Sequence, residues 1–466
     1  ALLLATSMLA GWPAGPGYAN PEGGSVEAGS AQIDETGDTL TVDQQSDRAV
    51  INLQRFDIQD GETMRFDQPG SGSAALNRVT GGGDASRIMG NLEANGRLFL
   101  INPAGIVFGQ SARVDVGSLV ASTSDMATQD FMEGSNTLDI PGQPDARVIN
   151  RGRITAREAG LVGLVAPEVA NSGVIRAELG HIELASADTV TVDFRGDGLM
   201  QVAVTDPDLK EQVVRNTGTL RAEGGTVAMT AGQARAIVDS LVTAKGELEA
   251  PTAEKKEGKI VIRDGNADGA GGDNRSVDVK GKLAAAGDDA GESGGDVHVT
   301  GPSVTVGPDA ELDARGAVPV PGKKPGRTGG AIRVGGGFGG DGGPATADQV
   351  TVDNGALIDV SARKRGDAGS VAVWSDGSAD FAGTITARGG VDGGDGGRVE
   401  TSGRKTLAVR SAASVDTAAP DGTAGSWLLD PHNVRLVRGS GEAVSSGDTL
   451  TADSDDELVD IATIET

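Results

Sequence analysis

Three stretches of this chain are copies of one another: Asn150-Arg-Gly-Arg-Ile154-Thr-Ala156, Asn171-Ser-Gly-Val-Ile175-Arg-Ala177 and Asn216-Thr-Gly-Thr-Leu220-Arg-Ala222. A repeat constrains a fold more tightly than composition does. Each copy is too small to bury an apolar face alone, so copies must stack on one another to make a core. Within each, Ile or Leu alternates with polar residues at period two, which specifies a strand with one apolar face. Each copy is followed by a second short strand opened by glycine, at Gly160-Leu-Val162, Gly180-His-Ile182 and Gly225-Thr-Val227. The copies lie 21 and 45 residues apart, as if one coil were skipped.

The glycine-opened strand continues at Gly295-Asp-Val297, Gly330-Ala-Ile332, Gly369-Ser-Val371, Gly397-Arg-Val399 and Gly425-Ser-Trp427. Its intervals vary, which implies a fixed strand unit with variable loops. Val304-Thr-Val306 and Val350-Thr-Val352 show the same alternation, so such strands should bury one side only. The expected fold is all-β, a right-handed parallel β-helix. Its structural rival is an antiparallel sandwich, because hairpins also turn on Asn-Gly and Asp-Gly. Fixed self-similarity favours the solenoid, and 73 glycines with only 3% aromatic residues suit its narrow interior.

A change of composition at Glu249–Lys259 divides the chain. Residues 20–250 carry the regular repeats. Residues 251–466 are richer in Gly and Asp, as at Asp264–Asp273, Gly335–Gly343 and Gly389–Gly397, read as long loops or poorly ordered inserts. The sequence after Asp453 runs into a strand beginning with no stop signal, which suggests a piece of something longer. At the other end, residues 1–19 form an apolar run followed by Pro13, Pro16 and Gly17-Tyr18-Ala19, the pattern of an incomplete signal peptide cut between Ala19 and Asn20. No segment approaches the roughly 20 apolar residues of a membrane span.

A formal net charge of −27 argues against sequence-independent binding to nucleic acid or anionic lipid. The absence of cysteine removes disulfides and thiolate metal sites, and suits a chain that crosses a membrane unfolded. Catalysis needs a nucleophile with a base, or paired carboxylates in a cleft. His181 and His298 alternate within strands, His432 lies in a turn, and none has a nucleophile beside it in sequence. Asp268, Asp273 and Asp395 sit in Gly-rich stretches resembling calcium-binding repeats, but their register does not recur. Neither Gly335–Gly340 nor Pro321–Thr328 has the spacing of a phosphate-binding loop. No metal, cofactor or enzymatic activity is expected.

From Ile51 to Asp115 the sequence is more specific. Ile51-Asn-Leu53, Phe56-Asp-Ile58, Asn77-Arg78-Val79-Thr-Gly-Gly82, Ile88-Met-Gly90-Asn-Leu92 and Asn102-Pro103-Ala104-Gly105-Ile106 resemble the N-terminal secretion domain of two-partner secretion exoproteins, the filamentous-haemagglutinin type. A second signature, Ser426-Trp427-Leu-Leu-Asp430-Pro431-His-Asn433, resembles the segment that follows that domain. The resemblance implies an N-terminal cap with extra strands ahead of the β-helix. It also implies export through a TpsB-type outer-membrane barrel whose periplasmic domains bind the unfolded chain. Asn77, Arg78, Asn102, Pro103, Gly105 and Ile106 would form the secretion motif. Where the family has Asn-Pro-Asn-Gly, this chain has Ala104, so any role of that third side chain is lost or moved. The expected protein is an adhesin-type exoprotein, secreted or held at the outer surface of a Gram-negative bacterium, meeting receptors or glycans there. The alternatives are the front of a cytolysin or contact-dependent toxin, and a β-helical polysaccharide-degrading enzyme.

Overall fold

Alternation becomes short strands in which every second side chain is buried, as in Arg147–Asn150 and Ser303–Val306 of the computed structural model. The structure describes residues 21–157, 159–192, 201–203, 213–231, 242–251, 258–264, 276–287, 292–317, 328–340, 346–430, 435–437, 443–445 and 458–464. Two units divide the chain, one of Ala1–Arg221 with Ala228–Ala236, the other of Ala222–Val227 with Ile237–Thr466.

The first unit opens with antiparallel strands. Ser25–Ala28 runs against Arg48–Leu53, and Ala31–Thr36 pairs with Thr39–Gln44 in a hairpin that turns on Gly37. This is the cap. Beyond it, Arg48–Leu53, Ala74–Val79, Arg97–Ile101, Ser118–Ser122, Leu161–Ala166 and His181–Ser186 stack in parallel. A second parallel stack runs from Thr39–Gln44 through Thr63–Asp67, Asn91–Ala94, Arg113–Val116 and Arg153–Ala156 to Val174–Ala177 and Thr219–Arg221. A third holds Ser86–Ile88, Ile106–Phe108, Arg147–Asn150, Glu168–Asn171 and Val213–Asn216. The second unit repeats the arrangement, for example Lys259–Asp264, Asp296–Thr300, Ala331–Val334, Ser370–Phe381, Arg398–Gly403 and Ser426–Leu429. Parallel ladders exclude the antiparallel sandwich. The chain is a parallel β-helix with an N-terminal cap.

Stacking explains the motif residues. The repeated asparagines point inward and form a ladder: Asn150 Nδ2 donates to Asn171 Oδ1, and Asn171 Nδ2 to Asn216 Oδ1, each at 2.7 Å. Each of the first two also accepts the N–H of the glycine two residues on, at Gly152 and Gly173, which turns the corner. The glycines that open the second strand stack so closely that a side chain would collide. A Cβ on Gly180 would lie 2.1 Å from the carbonyl oxygen of Gly160, and one on Gly369 would lie 1.9 Å from that of Gly330.

Three expectations need correction. No coil is skipped in the 45-residue interval, because Asn171 and Asn216 stand on directly paired strands. Strands Ala74–Val79, Arg97–Ile101, Ser118–Ser122, Leu161–Ala166 and His181–Ser186 are covered on both faces, not one. An excursion carrying helix Thr128–Glu133 and strand Thr137–Leu138 folds back over their outer side, packing Met126, Phe131 and Leu138 against Leu76, Phe99, Val120 and Val165. Phe131 meets Phe99 edge-on at 5.5 Å and lies under Arg48, whose guanidinium also donates to the Phe131 carbonyl. Burial on both faces requires apolar residues at odd and even positions, and Leu98–Ile101 and Leu161–Val165 supply them. The third correction concerns Gly389–Gly397, which is a stacked corner and not an inserted loop. Asp395 N–H donates to Asp367 Oδ1 at 2.8 Å, and Thr423 N–H to Asp395 Oδ1 at 2.7 Å. These carboxylates serve as hydrogen-bond acceptors from one coil to the next.

Candidate functional site

Asn77 sits inside the core, fully buried, in register between Ile51 and Leu100. Its Nδ2 donates to the Phe99 carbonyl at 3.3 Å, while among the described residues its Oδ1 meets no donor. A buried amide half satisfied in an aliphatic column costs stability. Aliphatic side chains fill the same column at Ile51 and Leu100, so packing alone does not require an asparagine there.

Arg78, the next residue, faces outward and ties three parts of the first unit together. Its Nε lies 2.5 Å from Asp125 Oδ2, its Nη1 3.0 Å from Glu27 Oε2 and 3.2 Å from Thr128 Oγ1, and its Nη2 2.8 Å from the Met126 carbonyl. Glu27 belongs to the antiparallel cap, and Asp125, Met126 and Thr128 lead into the covering helix. With its side chain only 14% exposed, the guanidinium fastens cap and excursion to the strand between them.

Asn102, also buried, builds the turn itself. Its Oδ1 accepts the Ala104 N–H at 2.9 Å, its carbonyl accepts the Gly105 N–H at 3.0 Å, and its Nδ2 reaches the Asp84 carbonyl and Ser86 Oγ. Pro103 fixes the bend and its carbonyl accepts the Gln143 N–H. Gly105 has φ +119°, and a Cβ there would come 2.8 Å from the Arg147 carbonyl. Ile106 is buried and pairs with Ser86 and Val148. The side-chain acceptor of this turn belongs to Asn102, so Ala104 in place of the family's asparagine leaves it intact. The two motif runs meet in space, where Val79, Gly81, Asp84, Ser86, Phe56 and Asn102 line one small cleft of about 90 Å³.

In the second signature, Trp427 pairs with Val399 and donates its indole N–H to Thr401 Oγ1 at 2.9 Å, and Asp430 is exposed. Pro431, Asn433 and His432 lie outside the described residues, as do Ala19 and Asn20. Burial, with Arg333 and Lys259 nearby, pushes the His298 imidazole down to about 4. Burial opposes ionisation of Asp313, but hydrogen bonds from Arg315 outweigh it and hold the carboxyl below the usual range. Among the described residues no group of three His, Cys, Asp or Glu side chains could hold a metal ion, and no helix is long and apolar enough to cross a membrane. The partners of Arg78 and the inward amide ladder were not foreseen from sequence, although the repeated asparagine was the ladder's visible trace.

The most specific motifs thus lie in the first coils of a capped parallel β-helix. The chain belongs to the family with the TPS secretion domain, whose model matches residues 18–299. Exoproteins with this domain cross the outer membrane of Gram-negative bacteria, and the domain implies a TpsB-type transporter as partner. The crystal structure of the HMW1 secretion domain from Haemophilus influenzae is similar, with a TM-score of 0.72 and 29% identity, covering 88% of this chain and all of that one. Two heme/hemopexin-binding proteins of Haemophilus influenzae are 32% identical over 272 residues and 30% identical over 311. These matches take in 56% and 62% of this chain but only 29% and 32% of the relatives. By name, the relatives are heme/hemopexin-binding proteins and a secretion domain.

Proposed function

We propose that residues 20–250 act as the export module and β-helix nucleus, with Asn77, Arg78, Asn102, Pro103, Gly105 and Ile106 as its determinants. Residues 251–466 extend the helix, and residues 1–19 are removed after Ala19. The observation that carries this reading is burial: once the first coils have formed, Asn77 is fully buried and Asn102 is only 1% exposed. A transporter that depends on them therefore meets them in the unfolded chain, through periplasmic domains, and the same groups fix the first coils when the chain emerges outside. Pro431 and Asn433, with Trp427 and Asp430, mark the passage to a more distal body. Outside the cell the solenoid displays a binding surface to receptors and performs no catalysis, and heme and hemopexin are the first ligands to try. This favours an adhesin-type binding protein over a toxin or a glycan-degrading enzyme.

The test separates reading from folding. Asn77→Leu completes the aliphatic column, so the fold should hold while export with the cognate transporter falls at least about tenfold. Asn102→Ala removes the turn's acceptor, so both folding and export should suffer. Wild-type export of both variants would refute the assignment.

A further inference from the structure

Two Asn-Gly pairs occur in this chain, Asn95-Gly96 and Asn354-Gly355, and every other asparagine precedes a residue with a side chain. In such a pair no side chain shields the glycine nitrogen, so it can approach the amide carbon of the asparagine side chain. The structure treats the two pairs in opposite ways.

Asn95 is clamped. Its Oδ1 accepts the Gln68 N–H and its Nδ2 donates to the Gln68 carbonyl, each at 2.7 Å. The Gly96 N–H donates to Gln68 Oε1 at 2.9 Å. Gln68 is itself buried, with its Nε2 donating to Gln44 Oε1 at 3.1 Å. One residue thus holds both groups that would have to react, and Gly96 is buried as well.

Asn354 stands free at a corner of the second unit. It follows strand Ala347–Val352 and, with Gly355, forms the tip of a turn closed by the Ala356 N–H on the Asp353 carbonyl at 3.1 Å. Gly355 has φ +102°, the positive sign that the third residue of a type II turn takes. Both tip residues are exposed. Among the described residues, no hydrogen bond holds the Asn354 side chain or the Gly355 N–H. The corner of the preceding coil lies against this turn. Asp353 N–H donates to the Val306 carbonyl at 2.9 Å, and a Cβ on Gly355 would lie 2.7 Å from the Pro308 carbonyl oxygen.

We propose that Asn354 is a self-modification site, which converts in the folded chain to aspartate and isoaspartate while Asn95 stays intact. The Gly355 nitrogen gives its proton to a solvent base and bonds to Asn354 Cγ. The Cγ–Nδ2 bond then breaks, and ammonia leaves with a proton taken from water. Water opens the resulting succinimide ring. Attack at Cγ gives aspartate, attack at the main-chain carbonyl gives isoaspartate, and nothing is oxidised or reduced. Either product adds a negative charge beside Asp353. Isoaspartate also lengthens the main chain by one methylene, at a corner that rests on Pro308.

The test ages the whole chain at mildly alkaline pH, folded and in urea, and follows each Asn-Gly peptide by mass spectrometry and by isoaspartyl methyltransferase labelling. In the folded chain Asn354 should convert at least about tenfold faster than Asn95, because Asn95 must first open its hydrogen bonds to Gln68. In urea the clamp is gone, and the two rates should agree within about threefold. Gln68→Ala should speed Asn95 at least about threefold in the folded chain and leave Asn354 unchanged. An Asn354 that converts no faster than Asn95 in the folded chain, a difference that persists in urea, or an Asn95 indifferent to Gln68→Ala would each overturn the proposal.

Discussion

In both units the strand ahead of a coil corner ends on one inward residue, but the two units fill that position differently. In the first it is Ile88 and Phe108 and then, on the next three coils, Asn150, Asn171 and Asn216, aligned coil to coil. In the second it is Val279, Val306, Val352, Phe381 and Val409. An aliphatic side chain contributes its burial, about 1.5–3 kcal/mol, whatever apolar neighbour lies above or below. An amide contributes only when its neighbours are amides in the same register, because each donor needs the next acceptor. The first unit thus trades some burial for a register that a slipped coil cannot satisfy.

The contrast can be broken from either side. Asn171→Val should cost about 4 kcal/mol, since it strips partners from two buried amides at once. Replacing all three asparagines by valine should cost less than three times that single change, as a shift in urea midpoint would show, because the Gly152 and Gly173 N–H groups lose their acceptors but no amide is left half paired. The converse, Val306→Asn, puts an amide between Val279 and Val352 and should cost about 3 kcal/mol, partly recovered by adding Val352→Asn. Acid should act on the second unit through His298. Its proton affinity is lower folded, at about 4, than the unfolded 6.5, so its contribution is complete above pH 6.5 and is lost as pH falls toward 4. Between pH 7 and 5 that amounts to about 2 kcal/mol, and His298→Gln should flatten this part of the pH profile. The smallest effect belongs to exposed ion pairs: Arg157→Ala, which loses Asp115 at 3.5 Å, should shift stability by less than about 0.5 kcal/mol.

Much of the solenoid was legible because its signal is local and repeated. Asn-x-Gly followed by Ile-x-Ala fixes a corner and a half-buried strand, and glycine at the next strand's start marks a place where backbones touch. What escaped depends on distance. Arg78 finds Glu27 51 residues away and Asp125 47 residues away, and nothing near those carboxylates distinguishes them from other surface acids. The continuous apolar run Leu161–Val165 signals a strand covered twice, but not that Phe131 and Leu138 supply the cover. Asp395 among glycines reads as part of a flexible loop before it reads as a calcium ligand, and only stacking shows it accepting the Thr423 N–H. Asn77 was identified by resemblance alone, since a buried amide has no periodic signature.

That last residue bears on the central claim, that export determinants are read before folding and hidden after it. The direct measurement is binding of the transporter's periplasmic domains to this chain, held unfolded in urea-free solution immediately after dilution and again after refolding is complete. The account predicts binding to the unfolded chain, weakened by Asn77→Leu, and its loss as the first coils form. Equal binding to the folded chain, unaffected by Asn77→Leu, would contradict it.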